Sequence, residues 1–144
     1  MEFTSSNDKN RVKSIFEQIK MAISQIQEWN EHVSSAEDYY KSSTGMQKLA
    51  ASCMLIESIG EGIKQIDKLT GGNLLPERPE IPWIDVMGIR NHIAHGYFDI
   101  DGYIIYAAIK NDLAPLQKAV DYFLHNLGND NGNGNRVLPL EGEL

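Results

Sequence analysis

Apolar side chains return every three or four residues along this chain, and they do not settle into strict alternation. Val12, Ile15, Phe16, Ile19, Ile23 and Ile26 draw one stripe. Leu49, Cys53, Ile56, Ile59, Ile63 and Ile66 draw a second, and Leu113, Leu116, Val120, Phe123 and Leu127 a last one. That period belongs to the buried face of an amphipathic helix, whereas a half-buried strand alternates every second residue. The chain must therefore pack helix on helix.

The punctuation agrees. A first helix is predicted from about Asn7 to about His32, with Ser5 and Asp8 as capping residues and Lys9, Arg11, Lys13 and Lys20 making its early part basic. Thr44 and Gln47, spaced as a capping box, announce the second. Gly71-Gly72 ends it, and the prolines of GGNLLPERPEIP (71–82) prevent its continuation. Pro82 suits the first turn of a third helix, from about Trp83 to about His95. A fourth begins at Tyr103 and is bent or split at Pro115, with Asp112 placed to cap the second piece. Gly60 and Gly62 lie inside the second helix, each at a propensity cost of about 1 kcal/mol against alanine. Either a neighbouring helix approaches closely there, or the cost is simply tolerated. Short connections predict an all-α, antiparallel bundle of four to five helices over residues 1–127. GNDNGNGNRVLPLEGEL (128–144) reads as a flexible Asn/Gly-rich tail.

The net charge of −7 and pI near 5.0 argue against a protein that grips nucleic acid by overall charge alone; any action on RNA must use a local basic site. With Cys53 as sole cysteine, no intramolecular disulfide forms, which fits a reducing compartment. The chain shows no signal-peptide stretch and no membrane-spanning run, so a cytoplasmic protein is expected, with no membrane partner.

Chemistry concentrates in RNHIAHGY, Arg90 to Tyr97. On an ideal helix counted from Trp83, Arg90 falls at about 340°, in the middle of the apolar arc of Val86, Met87, Ile89, Ile93 and Ala94. A guanidinium there needs a carboxylate, an interface or an anionic ligand. Glu57 or Glu61 of the second helix can pair with it structurally. Asn91 and His95 are four apart and share a flank, with Gly88 between and below them leaving room for a ligand or another backbone; His92 points away. His95 either caps the helix end, where a cation is favoured, or takes part in chemistry. His92 and His95 find no further ligand nearby to complete a metal site, so no metal is expected.

RNHIAHGY resembles the R-x4-H-x-Y motif of HEPN-superfamily ribonucleases, in particular the HepT-like toxins of toxin–antitoxin pairs. Arg90, Asn91 and His95 fill the arginine, polar and histidine roles, and Tyr97 the tyrosine of the HepT-like group. IESIGEGIKQI resembles the family's second helix, with Glu61 as its carboxylate; IPW, HGYFDID and NDLAPL resemble the flanks of the third helix and the opening of the last. The resemblance spans about residues 10–127; the first helix, the IIY stretch and the tail depart from it. It implies a HEPN-like bundle that dimerises with motif helices facing each other and cleaves RNA without a metal or other cofactor. Arg90, His95 and Asn91 would be the catalytic set and Glu61 and Glu57 supporting carboxylates. It also implies an ATP-using minimal nucleotidyltransferase antitoxin that adenylylates Tyr97, as in type VII-like systems. The alternatives are a non-catalytic HEPN partner that serves a nucleotidyltransferase as substrate-binding adaptor, and a purely structural helical dimer.

Overall fold

The computed structural model describes residues 6–93 and 96–131. Among them lie six α-helices and no strand: α1 (Ser6–Trp29), α2 (Ser43–Leu69), α3 (Trp83–Met87), α4 (Arg90–Ile93), α5 (Gly102–Asn111) and α6 (Leu113–Asn131). Three 3-10 turns occur, at Ala36–Tyr40, Leu75–Glu77 and Tyr97–Asp99. The expected all-α bundle is the observed one. Asn30 meets Ser52 while Gly62 faces Ile15 and Ile19, so α1 and α2 run antiparallel. Phe16 of α1 stacks on Phe123 of α6 with ring centroids 5.1 Å apart. The three sequence stripes are the core, and of their members only Ile15 stays partly exposed. Each such side chain contributes about 1.5–3 kcal/mol on burial.

Close approach explains Gly60, which faces main chain, and leaves little room at Gly62, which faces side chains. A Cβ on Gly60 would stand 2.8 Å from the Val86 carbonyl oxygen, and one on Gly62 3.1 Å from Ile15 Cγ2. α2 is therefore clasped by α1 on one flank and α3 on another. Its C-terminus closes as the double glycine predicts. The Gly72 N–H reaches the Asp67 carbonyl at 2.9 Å and the Gly71 N–H that of Lys68 at 3.3 Å, with φ of +79° and +63°.

Several expectations are corrected. Ser42, not Thr44, caps α2, its hydroxyl accepting from the Gly45 N–H at 2.9 Å. Ser42 is extended, so its side chain can turn back on the first turn, whereas Thr44 is already helical. The last helix is split as Pro115 suggested, and the proline sits in the first turn of α6, where its missing N–H costs nothing. Asp112 contributes its carbonyl to Leu116 N–H at 3.2 Å. α6 continues to Asn131, four residues past Leu127; the rest of the expected tail lies outside the described residues.

The third helix is not continuous. After Met87 the bonding tightens: the N–H groups of Ile89, Asn91 and His92 reach carbonyls three residues back, on Val86, Gly88 and Ile89. Each such step turns the chain by about 120° rather than 100°. An ideal helical wheel therefore loses its phase at Gly88, before it reaches Arg90.

Candidate functional site

α4 is a single turn, and the core holds it by one residue. Ile93 is 1% exposed, and its carbonyl accepts from the Asp101 N–H at 3.0 Å, tying the end of α4 to the start of α5. Beneath, the bare backbone of Gly60 lets Val86 and Ile89 sit against α2. The other α4 side chains, Arg90, Asn91 and His92, all face solvent.

Arg90 is therefore not a buried arginine, and the expected pairing with Glu57 or Glu61 is absent. Glu61 is 3.6 Å from Lys64, and Glu57 is half-buried with Oε2 3.8 Å from the Cys53 sulfur. Among the described residues nothing pairs with the Arg90 guanidinium. The break between α3 and α4 ends the single apolar arc before Arg90, which is exposed, so no carboxylate is needed to offset its burial. His95 lies outside the described residues. Tyr97 opens the 3-10 turn Tyr97–Asp99, and the structure describes its backbone only. The structure thus brings Arg90, Asn91 and His92 together on one solvent-facing turn, with neither Glu57 nor Glu61 in an ion pair with Arg90.

An unpaired guanidinium with five fixed donors is suited to a phosphate. Arg78, by contrast, is engaged by Glu80 at 2.6 Å and lies over the Tyr122 ring. A groove of about 230 Å³ runs between α2, α3 and the start of α6. Its floor is apolar, with Ile56, Val86 and Leu116, and its charged residues are Glu80, Asp85 and Asp112, a lining that repels phosphate. No group of three or more His, Cys, Asp or Glu side chains that could hold a metal ion lies among the described residues. Cys53 is no nucleophile: burial and the neighbouring Glu57 charge push its thiol up to about 11. No described helix is long and apolar enough to cross a membrane.

A family model described as "Ribonuclease HepT-like" matches residues 19–123, well over half of the chain. The chain belongs to the HepT-like ribonuclease family. A "Putative RNase" of Methanocaldococcus jannaschii is 30% identical over 66 residues, covering 46% of this chain and 57% of that protein. A "Probable ribonuclease HepT" of Thermococcus cleftensis is 27% identical over 109 residues, covering 76% of this chain and 92% of that protein. A "Putative RNase" of Caldanaerobacter subterraneus is 28% identical over 90 residues, 62% of this chain and 74% of that protein. No solved structure matches. Across the HepT-like match lie both glycine contacts of α2 and the whole of α4.

Sequence reasoning missed the 3-10 turn Ala36–Tyr40 and its docking on α5. The Tyr40 hydroxyl accepts from the Gly102 N–H at 2.9 Å, and Tyr106 donates to the Ser34 carbonyl at 2.7 Å. The available signal was Tyr39-Tyr40 facing Tyr103 and Tyr106 across the motif, which no helical period reveals.

Proposed function

We propose that the protein is the endoribonuclease toxin of a type VII-like toxin–antitoxin pair, acting without a metal. Support comes from the solvent-facing Arg90, without an ion-pair partner among the described residues, on a turn anchored to the core, in a chain of the HepT-like family. Arg90 binds the scissile phosphate and offsets charge on the pentacoordinate transition state. The ribose 2′-OH attacks phosphorus, the P–O5′ bond breaks, and a 2′,3′-cyclic phosphate and a 5′-OH result. His95 takes the 2′-OH proton, and a second His95, from the other protomer of a homodimer, gives one to O5′. Asn91 orients the phosphate or His95. Ile84 and Phe98, 81% and 95% exposed on either side of the motif in sequence, supply apolar surface for the dimer to cover.

The partner in this reading is a minimal nucleotidyltransferase antitoxin. The Tyr97 hydroxyl attacks the α-phosphate of ATP, releasing pyrophosphate, and the tyrosine-bound AMP brings a negative phosphate and a base to the site, obstructing RNA. The net charge of −7 favours a second reading, a non-catalytic adaptor for the same nucleotidyltransferase.

Expression in cells lacking the partner gene separates them. Wild type should arrest growth and deplete RNA, while Arg90→Ala and His95→Ala should not. Equal harmlessness of all three, with folded protein present, removes the nuclease. Incubation with the nucleotidyltransferase and ATP should raise the intact mass by AMP increments in wild type and not in Tyr97→Phe.

A further inference from the structure

Four tyrosines dock the turn Ala36–Tyr40 on α5, and they divide in two. Tyr39 is fully buried, its hydroxyl donating to Asn30 Oδ1 at 2.7 Å, and Tyr106 is half-buried beside it. Their rings fill the junction. Tyr40 and Tyr103 lie on the outside, 49% and 55% exposed, with ring centroids 6.2 Å apart and planes 25° from parallel. A pin between elements gains by burying its rings; this pair keeps about half of each in water.

Both hydroxyls are fixed from below. Tyr40 accepts from the Gly102 N–H, and a Cβ on Gly102 would stand 2.6 Å from that oxygen, so a larger residue there would displace the Tyr40 hydroxyl. Tyr103 donates to Glu37 Oε2 at 3.2 Å. The Glu37 backbone N–H and the Tyr103 hydroxyl hold its carboxyl below the usual range, so it is an acceptor at neutral pH. The other acids nearby are occupied. Asp38 accepts from Ser34 N–H and pairs with Lys41, and Asp101 caps α5 through the Tyr103 and Ile104 N–H groups. The patch also adjoins the motif: Asp101, next to Gly102, bonds the carbonyl of Ile93, one turn after Arg90.

An exposed aromatic pair beside one ionised carboxylate is a recognisable chemical surface. Aromatic rings stack any base of single-stranded RNA. A carboxylate selects among bases. Guanine offers two parallel donors, N1–H and N2–H, to its two oxygens; adenine and cytosine offer one amine each, and uracil flanks its N3–H with carbonyls that repel it.

We propose that Glu37, Tyr40 and Tyr103 form a subsite for one guanine base beside the Arg90 turn. It rests on the ribonuclease reading for its RNA source, and its chemistry stands by itself. Tyr40 and Tyr103 carry the base, and Glu37 reads its edge. Lys41, next to Tyr40 and with a side chain 70% exposed, would have to exchange its Asp38 partner to reach an adjoining phosphate.

Fluorescence anisotropy tests this on the full chain with labelled oligoadenylate carrying one central guanosine, inosine or adenosine. In wild type, guanosine should bind about tenfold tighter than inosine, which lacks the N2 amine, or adenosine. Glu37→Gln, which keeps an acceptor for Tyr103, should bring guanosine to the inosine level. Tyr103→Phe should retain the preference, and Tyr103→Leu should weaken every oligonucleotide severalfold, with circular dichroism confirming the fold. Free GMP competing as well as the oligonucleotide would support guanine recognition and name the mononucleotide as its source. Equal binding of all three bases by wild type, or an unchanged preference in folded Glu37→Gln, overturns the proposal. Absence of RNA cleavage with the preference intact would count against the nuclease and leave the subsite standing.

Discussion

Gly60 bears directly on where the motif sits. Alanine there would drive a methyl group against the Val86 carbonyl oxygen, which is main chain and cannot step aside. Gly60→Ala should destabilise the fold by about 1–3 kcal/mol, read as a lower urea midpoint. Cys53 and Tyr39 predict a pH effect. Burial pushes the thiol from 9.0 up to about 11 and the phenol from 10.0 up to about 12. The folded chain then keeps protons that the unfolded chain has already released, so their contribution to stability is intact below about pH 9 and is lost as pH rises from 9 towards 12. Denaturation followed across that window should show the fall, and Cys53→Ala should flatten its lower part. The same burial should make Cys53 alkylation at pH 8 far slower in native than in urea-unfolded protein.

At the scale of elements, the break between α3 and α4 decides how the motif is presented. A Cβ on Gly88 would meet only the Ile84 carbonyl oxygen, at an ordinary 3.4 Å. Gly88→Ala should therefore keep or raise stability, by up to about 1 kcal/mol from helix propensity, while favouring a continuous helix that turns Arg90 back towards the core. Thermal melting should show no loss and growth arrest should weaken, a separation that core mutations will not reproduce. Here lies the boundary of what the sequence disclosed. The stripes of α1, α2 and α6 were legible because helices that pack by one face write that face at a fixed period. The stop at Gly71-Gly72 was legible because positive φ requires such residues. The direction of Arg90 was not, because the helix breaks between Met87 and Arg90, and a wheel assumes one continuous helix. Nor was the docking of Tyr40 on Gly102, a contact across 62 positions.

The whole molecule is acidic, and its proposed RNA contacts are few. Arg90, one per protomer, stands against a net charge of −7. Binding of short single strands to an Arg90-intact, His95→Ala protein should depend weakly on salt, with a log–log slope of about −0.7 to −1.4 if one or two phosphates are neutralised at about −0.7 each. A slope several times steeper would mean a basic tract elsewhere carries the strand. Light scattering should give twice the chain mass if the apolar surface at Ile84 and Phe98 is covered by a second copy. One feature of the packing also bears on how such a chain can vary. At Gly60 main chain meets main chain, so the approach of α3 to α2 is set there by backbone rather than by the bulk of a side chain, while Ile93 anchors the turn after it. Aliphatic exchanges at Ile63, away from that contact, should therefore change the stability of the bundle more than the direction of the arginine.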